Sequence, residues 1–147
     1  MDVTFKRTAE RRYAVIVERP GAPTLIMHPA PGYDARLPHD LAHFIAERDE
    51  GIEHGIFGQL AAGGHAGTFH RADGAVDRQL KRRGDRLVHQ SGADMARSER
   101  AAQGIQHGAR LGRDVDELSA RWSALAIGEA LTLAWPVART GAGRRRG

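Results

Sequence analysis

The sequence predicts an α+β domain, with an N-terminal three-stranded antiparallel β-meander followed by about four α-helices. Three observations predict it. Apolar and polar residues alternate with a period of two near the start, at Val3 and Phe5 and again at Tyr13, Val15 and Val17. Apolar spacing turns helical after Leu37. Between the two regimes stand the turn clusters Pro20-Gly21-Ala22-Pro23 and Pro29-Ala30-Pro31-Gly32.

The first two strands are the alternating runs themselves, and the short apolar run Leu25-Ile26-Met27 supplies a third after the first turn cluster. Closely spaced prolines then end the sheet, because proline cannot donate to a ladder. A helix is predicted over 38–49, with Pro38 at its start and Gly51 just past its end. A second covers 53–62, carrying Ile56 and Leu60 one turn apart and stopped by Gly63 and Gly64. Residues 63–90 are rich in glycine and charge, and read as a long loop. Helices are predicted over 93–110 and over 115–135. The latter opens on Asp114 and Glu117 at capping-box spacing and stops at Pro136.

At 147 residues the chain has room for one core, taken here as residues 1–138. It contains no cysteine, which excludes disulfides, thiolate metal sites and cysteine nucleophiles. No apolar run reaches the roughly 20 residues that span a bilayer. With no secretory pattern at the start, the expected location is cytoplasmic. The net charge is +4, but Arg139, Arg144, Arg145 and Arg146 all fall in the last nine residues. Without that basic tail, 139–147, which is expected to be disordered, the body is neutral. Neutrality of the body and only eight aromatic residues speak against a nucleic-acid binder.

The row His39-Asp40-Leu41-Ala42-His43 carries the chemistry. Two histidines four apart share a helix face, and neutral imidazoles so placed can hold one divalent ion. Asp40 stands where an HExxH helix keeps its general base, and could equally orient an imidazole from behind. Glu47 is a further candidate ligand, although helical rise places it about 12 Å from His39. Glu53, Glu129 and His28 are alternatives for the remaining positions. Leu37, Leu41, Phe44 and Ile45 gather opposite the histidines, so the row could also be the solvated side of an amphipathic helix. A metal site there needs a second element to cover it. Ala42 and Ala46, flanking the row, leave room for close packing.

The segment LPHDLAH at 37–43 resembles the HDxxH motif of the helical ubiquinone-biosynthesis family that carries a proposed zinc site. The resemblance implies a zinc-type ion on this helix. In that family a glutamate follows the second histidine by twelve positions. Here that position is Gly55, with Glu53 and Glu47 earlier in the chain. More widely, RYAVIVE at 12–18, PAPGYD at 29–34 and GQLAAGG at 58–64 are similar to small uncharacterised proteins of high-GC bacteria, which implies a shared architecture rather than an activity.

The leading expectation is therefore a divalent-metal protein, zinc by preference, acting on a small molecule. Its ligands would be His39, His43 and Glu47, with Asp40 as the catalytic group. The alternative is a non-catalytic module for a protein partner, a second copy of the chain included, with the arginine tail making weak electrostatic contacts. Tail contacts of that kind would depend steeply on salt.

Overall fold

The computed structural model describes residues 1–108 and 114–136. The basic tail 139–147 lies outside the described residues. Along the chain run β1 (Asp2–Ala9), β2 (Arg12–Glu18), β3 (Leu25–Met27), α1 (His39–Glu50), α2 (Ile56–Ala61), β4 (His70–Arg71), α3 (Arg78–Gln90), α4 (Gly92–Gln106), α5 (Val115–Ser123) and β5 (Ala130–Ala134). The strands form a single antiparallel sheet in the order β4-β3-β2-β1-β5.

Period-two alternation decides which side of the sheet is dry. Val3, Phe5, Tyr13, Val15, Val17, Leu25 and Leu131 are buried, whereas Lys6 and Thr132 remain exposed on the opposite side. Three helices meet the buried face through aromatic rings. Phe5 packs edge-on against Phe44 of α1 at 6.1 Å between centroids and lies tilted against Phe57 of α2 at 6.4 Å. Tyr13 meets Trp122 of α5 at 5.6 Å. Aromatic pairs at such angles add to what their buried area contributes.

The α+β class holds, but the sheet is larger than the three-stranded meander predicted. The expected helix over 115–135 stops at Ser123, and Ala130–Ala134 pairs with β1 instead. Leu131, Leu133 and Trp135 alternate with exposed Thr132 and Ala134, which is strand periodicity. Gly128, at φ +92°, makes the turn that a continuous helix could not. The expected loop over 63–90 is also corrected, because it contains β4 and all of α3. Asp77 caps α3, its carboxylate accepting the Leu80 N–H at 2.9 Å. Asp114 does stand at the N-cap of α5, but its side chain makes no cap bond: it sits at φ +54° and its carboxylate is held by Arg48 at 2.6 Å.

The segment between β3 and α1 is pinned in place by α5. Trp122 Nε1 donates to the Asp34 carbonyl at 2.9 Å, and the Ser119 hydroxyl donates to that of Arg36 at 2.7 Å. The Gly32 carbonyl then accepts the His39 N–H at 3.1 Å. A Cβ on Gly32 would lie 2.7 Å from the His39 Cβ, and φ is +81°, so only glycine lets the loop press against the start of α1. This loop fixes where the first histidine emerges.

Candidate metal centre

α1 begins on Pro38 in extended backbone and ends on Gly51 in the left-handed region. Its apolar side enters the core, with Leu41, Phe44 and Ile45 fully buried. The opposite side is covered by α4. Ala42 and Ala46 are fully buried, and His43 is only 1% exposed. Around His43 the histidine face of α1 is therefore a helix–helix interface, with His39 at its partly exposed edge.

α4 brings a carboxylate to the histidines. His39 Nε2 and His43 Nε2 lie 3.0 Å apart. Glu99 Oε1 is 3.2 Å from the second and 3.4 Å from the first. These donor atoms form a nearly equilateral triangle. Tetrahedral zinc with bonds near 2.0–2.1 Å has ligand–ligand edges of about 3.3 Å, and an octahedral ion at the same bond length has edges of about 3.0 Å. The triangle matches one face of either polyhedron. The two imidazole rings are perpendicular with centroids 4.5 Å apart. A head-on N–H···N bond would add both ring radii to the 3.0 Å gap and separate the centroids further. The two nitrogens and the Glu99 oxygen are close enough together to share one ion.

Each imidazole has its other nitrogen committed. His39 Nδ1 donates to Gln106 Oε1 at 2.8 Å, and the Gln106 amide nitrogen donates to the Leu37 carbonyl at 3.0 Å. That second bond fixes which end of the amide faces the histidine. His43 Nδ1 meets Ser98 Oγ at 2.6 Å, and the Ser98 hydroxyl donates onward to Glu47 Oε2 at 2.5 Å. With its proton spent on Glu47, Ser98 can only accept from His43. Nδ1 is thereby the outward donor of both rings, which leaves each Nε2, facing Glu99 across the triangle, as the nitrogen that would take an ion once any proton there is displaced.

Glu47 is fully buried and lies outside the triangle. Its oxygens also accept the backbone N–H groups of Ile56 at 2.8 Å and Phe57 at 2.9 Å. Its nearest approach to a histidine is 3.7 Å, to His43 Nδ1. The structure thus makes Glu47 the anchor of a relay running through Ser98 to His43, and it is Glu99 that closes the donor triangle.

Asp40 is 6% exposed, and its carboxyl group is bonded to the Tyr13 hydroxyl. The same hydroxyl donates to the Pro31 carbonyl at 2.8 Å. A phenol has one proton and cannot serve two acceptors. A protonated Asp40 would resolve the conflict by donating to Tyr13, leaving the phenol proton for Pro31. Burial pushes the Asp40 carboxyl above its ordinary range, more strongly than the Tyr13 hydrogen bond and the nearby histidines lower it. Neither imidazole is oriented by Asp40; Gln106 and Ser98 do that.

The other candidates lie elsewhere. His28 and Glu53 are exposed. Glu129 accepts the Ala126 N–H at 2.7 Å in the turn before β5. Sequence reasoning missed Glu99, Ser98 and Gln106. Ser98 left one trace: it occupies a core position in the buried row Ser98, Ala101, Ile105 of α4, where a polar residue needs a partner.

Charge is graded across the cluster. Burial disfavours a charged His43, but the Glu47 carboxylate and the charge of Glu99 outweigh it and hold its pKa above the ordinary 6.5. Partial burial works against a charged Glu99, yet His39, His43 and the Gln103 amide keep it below its ordinary value. The side chains of His39 and Glu99 are 31% and 45% exposed, so the triangle has a buried corner at His43 and an open side toward solvent. Comparison with known protein families, curated proteins and solved structures gave no match.

Proposed function

We propose that the protein binds one divalent cation through His39, His43 and Glu99, with zinc the preferred ion, and that the site serves metal-dependent chemistry on a small substrate. One observation carries this reading. Three donor atoms stand at coordination-sphere spacing while the far nitrogen of each histidine is already bonded. Two imidazoles and one carboxylate are the ligands of catalytic zinc sites that keep a further position open, and the side facing solvent provides that position here. The bound ion would supply Lewis acidity, polarising a substrate oxygen or lowering the pKa of a water.

The protein's own groups have separate tasks in this reading. Gln106 and the Ser98–Glu47 relay hold the imidazoles in register. Glu99 offers charge and, being half exposed, can adjust to the ion. Asp40, held neutral against Tyr13, stores a proton beside the site. The same donor set, arranged on one face of an octahedron, also suits ferrous iron.

Metal analysis of protein purified without an affinity tag tests the proposal. Near-stoichiometric zinc or iron should accompany the wild type and be lost in His39→Ala and Glu99→Gln. Both are partly exposed positions whose replacement leaves the core intact. A wild-type protein that takes up no added zinc, iron or manganese at micromolar concentration would overturn it.

A further inference from the structure

A second site lies away from the donor triangle and shares no residue with it. A cavity of about 370 Å³ opens between the β2–β3 turn, the end of α2, α3 and the end of β5. Its lining includes Arg19, Pro20, Ala62, Arg83, Trp135 and Pro136. The volume is within the range of small-molecule pockets. Its walls are largely apolar, yet two guanidinium groups enter it.

Neither arginine has a carboxylate partner among the described residues. Arg19 Nη1 donates to the Leu60 carbonyl at 3.1 Å, which aims the group, while its enclosed Nε has no partner at all. Arg83 extends from α3 across Gly63, where an added Cβ would lie 2.7 Å from Arg83 Nη1. That glycine, at φ +97°, is the space in which the guanidinium rests. Arg71, by contrast, is neutralised: it binds Asp73 at 2.6 Å and Asp77 at 3.4 Å. Asp77, the acid whose charge reaches Arg19, is already committed to Arg71 and to the cap of α3. Burial and the charge of Arg83 both lower the Arg19 pKa, so the two cations repel each other in partly desolvated surroundings.

Two unpaired guanidinium groups beside an indole and proline rings suit a ligand with a charged head and an apolar body. We propose that this cavity binds a small organic oxyanion, a carboxylate or phosphate monoester, with Arg19 and Arg83 on the head group and Trp135 and the prolines against the body.

Calorimetric titration of the full chain with benzoate, phenyl phosphate, inorganic phosphate and benzyl alcohol tests this. Benzoate or phenyl phosphate should bind, and the one that binds more tightly identifies the head group. Inorganic phosphate and benzyl alcohol should each bind at least about tenfold more weakly, since each lacks one half of the recognition. Arg83→Gln, at an exposed position, should weaken binding by about tenfold or more, as loss of a charge-assisted hydrogen bond would. His39→Ala should leave it unchanged, which separates this site from the metal reading. Absence of binding by both aromatic anions at millimolar concentration, or equal binding of inorganic phosphate, would overturn the proposal. So would a smaller loss in Arg83→Gln, or a loss in His39→Ala.

Discussion

The carboxylate of Glu47 fills the space that a side chain on Gly55 would need. A Cβ placed on Gly55 would lie 2.3 Å from both the Cδ and Oε2 of Glu47. Gly55 is therefore the residue that lets a buried glutamate reach the N–H groups of Ile56 and Phe57. Gly55→Ala should push Glu47 away, strain α2 and leave a buried charge short of donors. The expected loss of stability is about 2–4 kcal/mol, read by urea denaturation. A loss within about 0.5 kcal/mol, the range of ordinary surface changes, would show that Glu47 is not confined there.

Ser98 connects Glu47 to His43. In Ser98→Ala the His43 Nδ1 proton faces a carboxylate at 3.7 Å, too far for a hydrogen bond. Zinc affinity should fall about 10–100-fold, the usual consequence of removing a group that orients a metal-bound histidine. Ser98→Thr should restore most of it if the added methyl is accommodated. Equal zinc affinity in wild type and Ser98→Ala, by competition with a chelating dye, would refute the relay.

Asp40 should behave as a neutral acid. A carboxyl whose folded pKa is raised above its unfolded value of 3.8 adds stability that is fully present below that pH. The contribution is lost as pH climbs through the folded pKa. Asp40→Asn, which keeps a donor for Tyr13, should remove this component. Its stability relative to wild type should improve as pH rises from about 4 toward neutrality. Infrared difference spectra should show a protonated-carboxyl band that the Asn variant lacks.

In the proposed site, protons and metal would compete for His43. Its raised pKa makes the metal-free protein hold a proton there to some pH above 6.5. That proton's contribution to stability is complete below 6.5 and disappears as pH rises through the folded value. Zinc affinity should run the other way, increasing with pH across the same window as binding displaces the proton. Flat affinity from slightly acid to slightly alkaline pH would mean that His43 does not titrate in the site.

The sequence marks the centre of the site and hides its closure. His39 and His43 are four residues apart, so helical geometry alone puts them on one face, and Ala42 and Ala46 betray close packing there. Glu99 is 56 residues from His43, and no local spacing links them. Only the docking of α4 on α1 does. Among the elements, β1, β2 and β3 are legible because one side of each is dry. α3 escapes the same reading because it buries only Gly84, and its helical state rests on residue propensity and the Asp77 cap. β5 is obscured because a leucine-rich stretch following α5 satisfies the helical pattern loosely; the strict alternation of Leu131, Leu133 and Trp135 is the better guide.

The pairing of β1 with β5 has a consequence for the chain as it is made. Asp2 to Lys6 hydrogen-bond opposite Ala134 to Ala130, the longest sequence separation in the sheet. During synthesis from the N-terminus, β1 and β2 can form a hairpin early, but the outer edge of β1 stays bare until more than a hundred residues later. An uncovered strand edge is an invitation to pair with a neighbouring chain. Lys6, exposed on the solvent face of that strand, places a charge beside the waiting edge. Interrupted translation before residue 130 should therefore yield nascent chains prone to self-association, however well the histidines and Glu99 have already met.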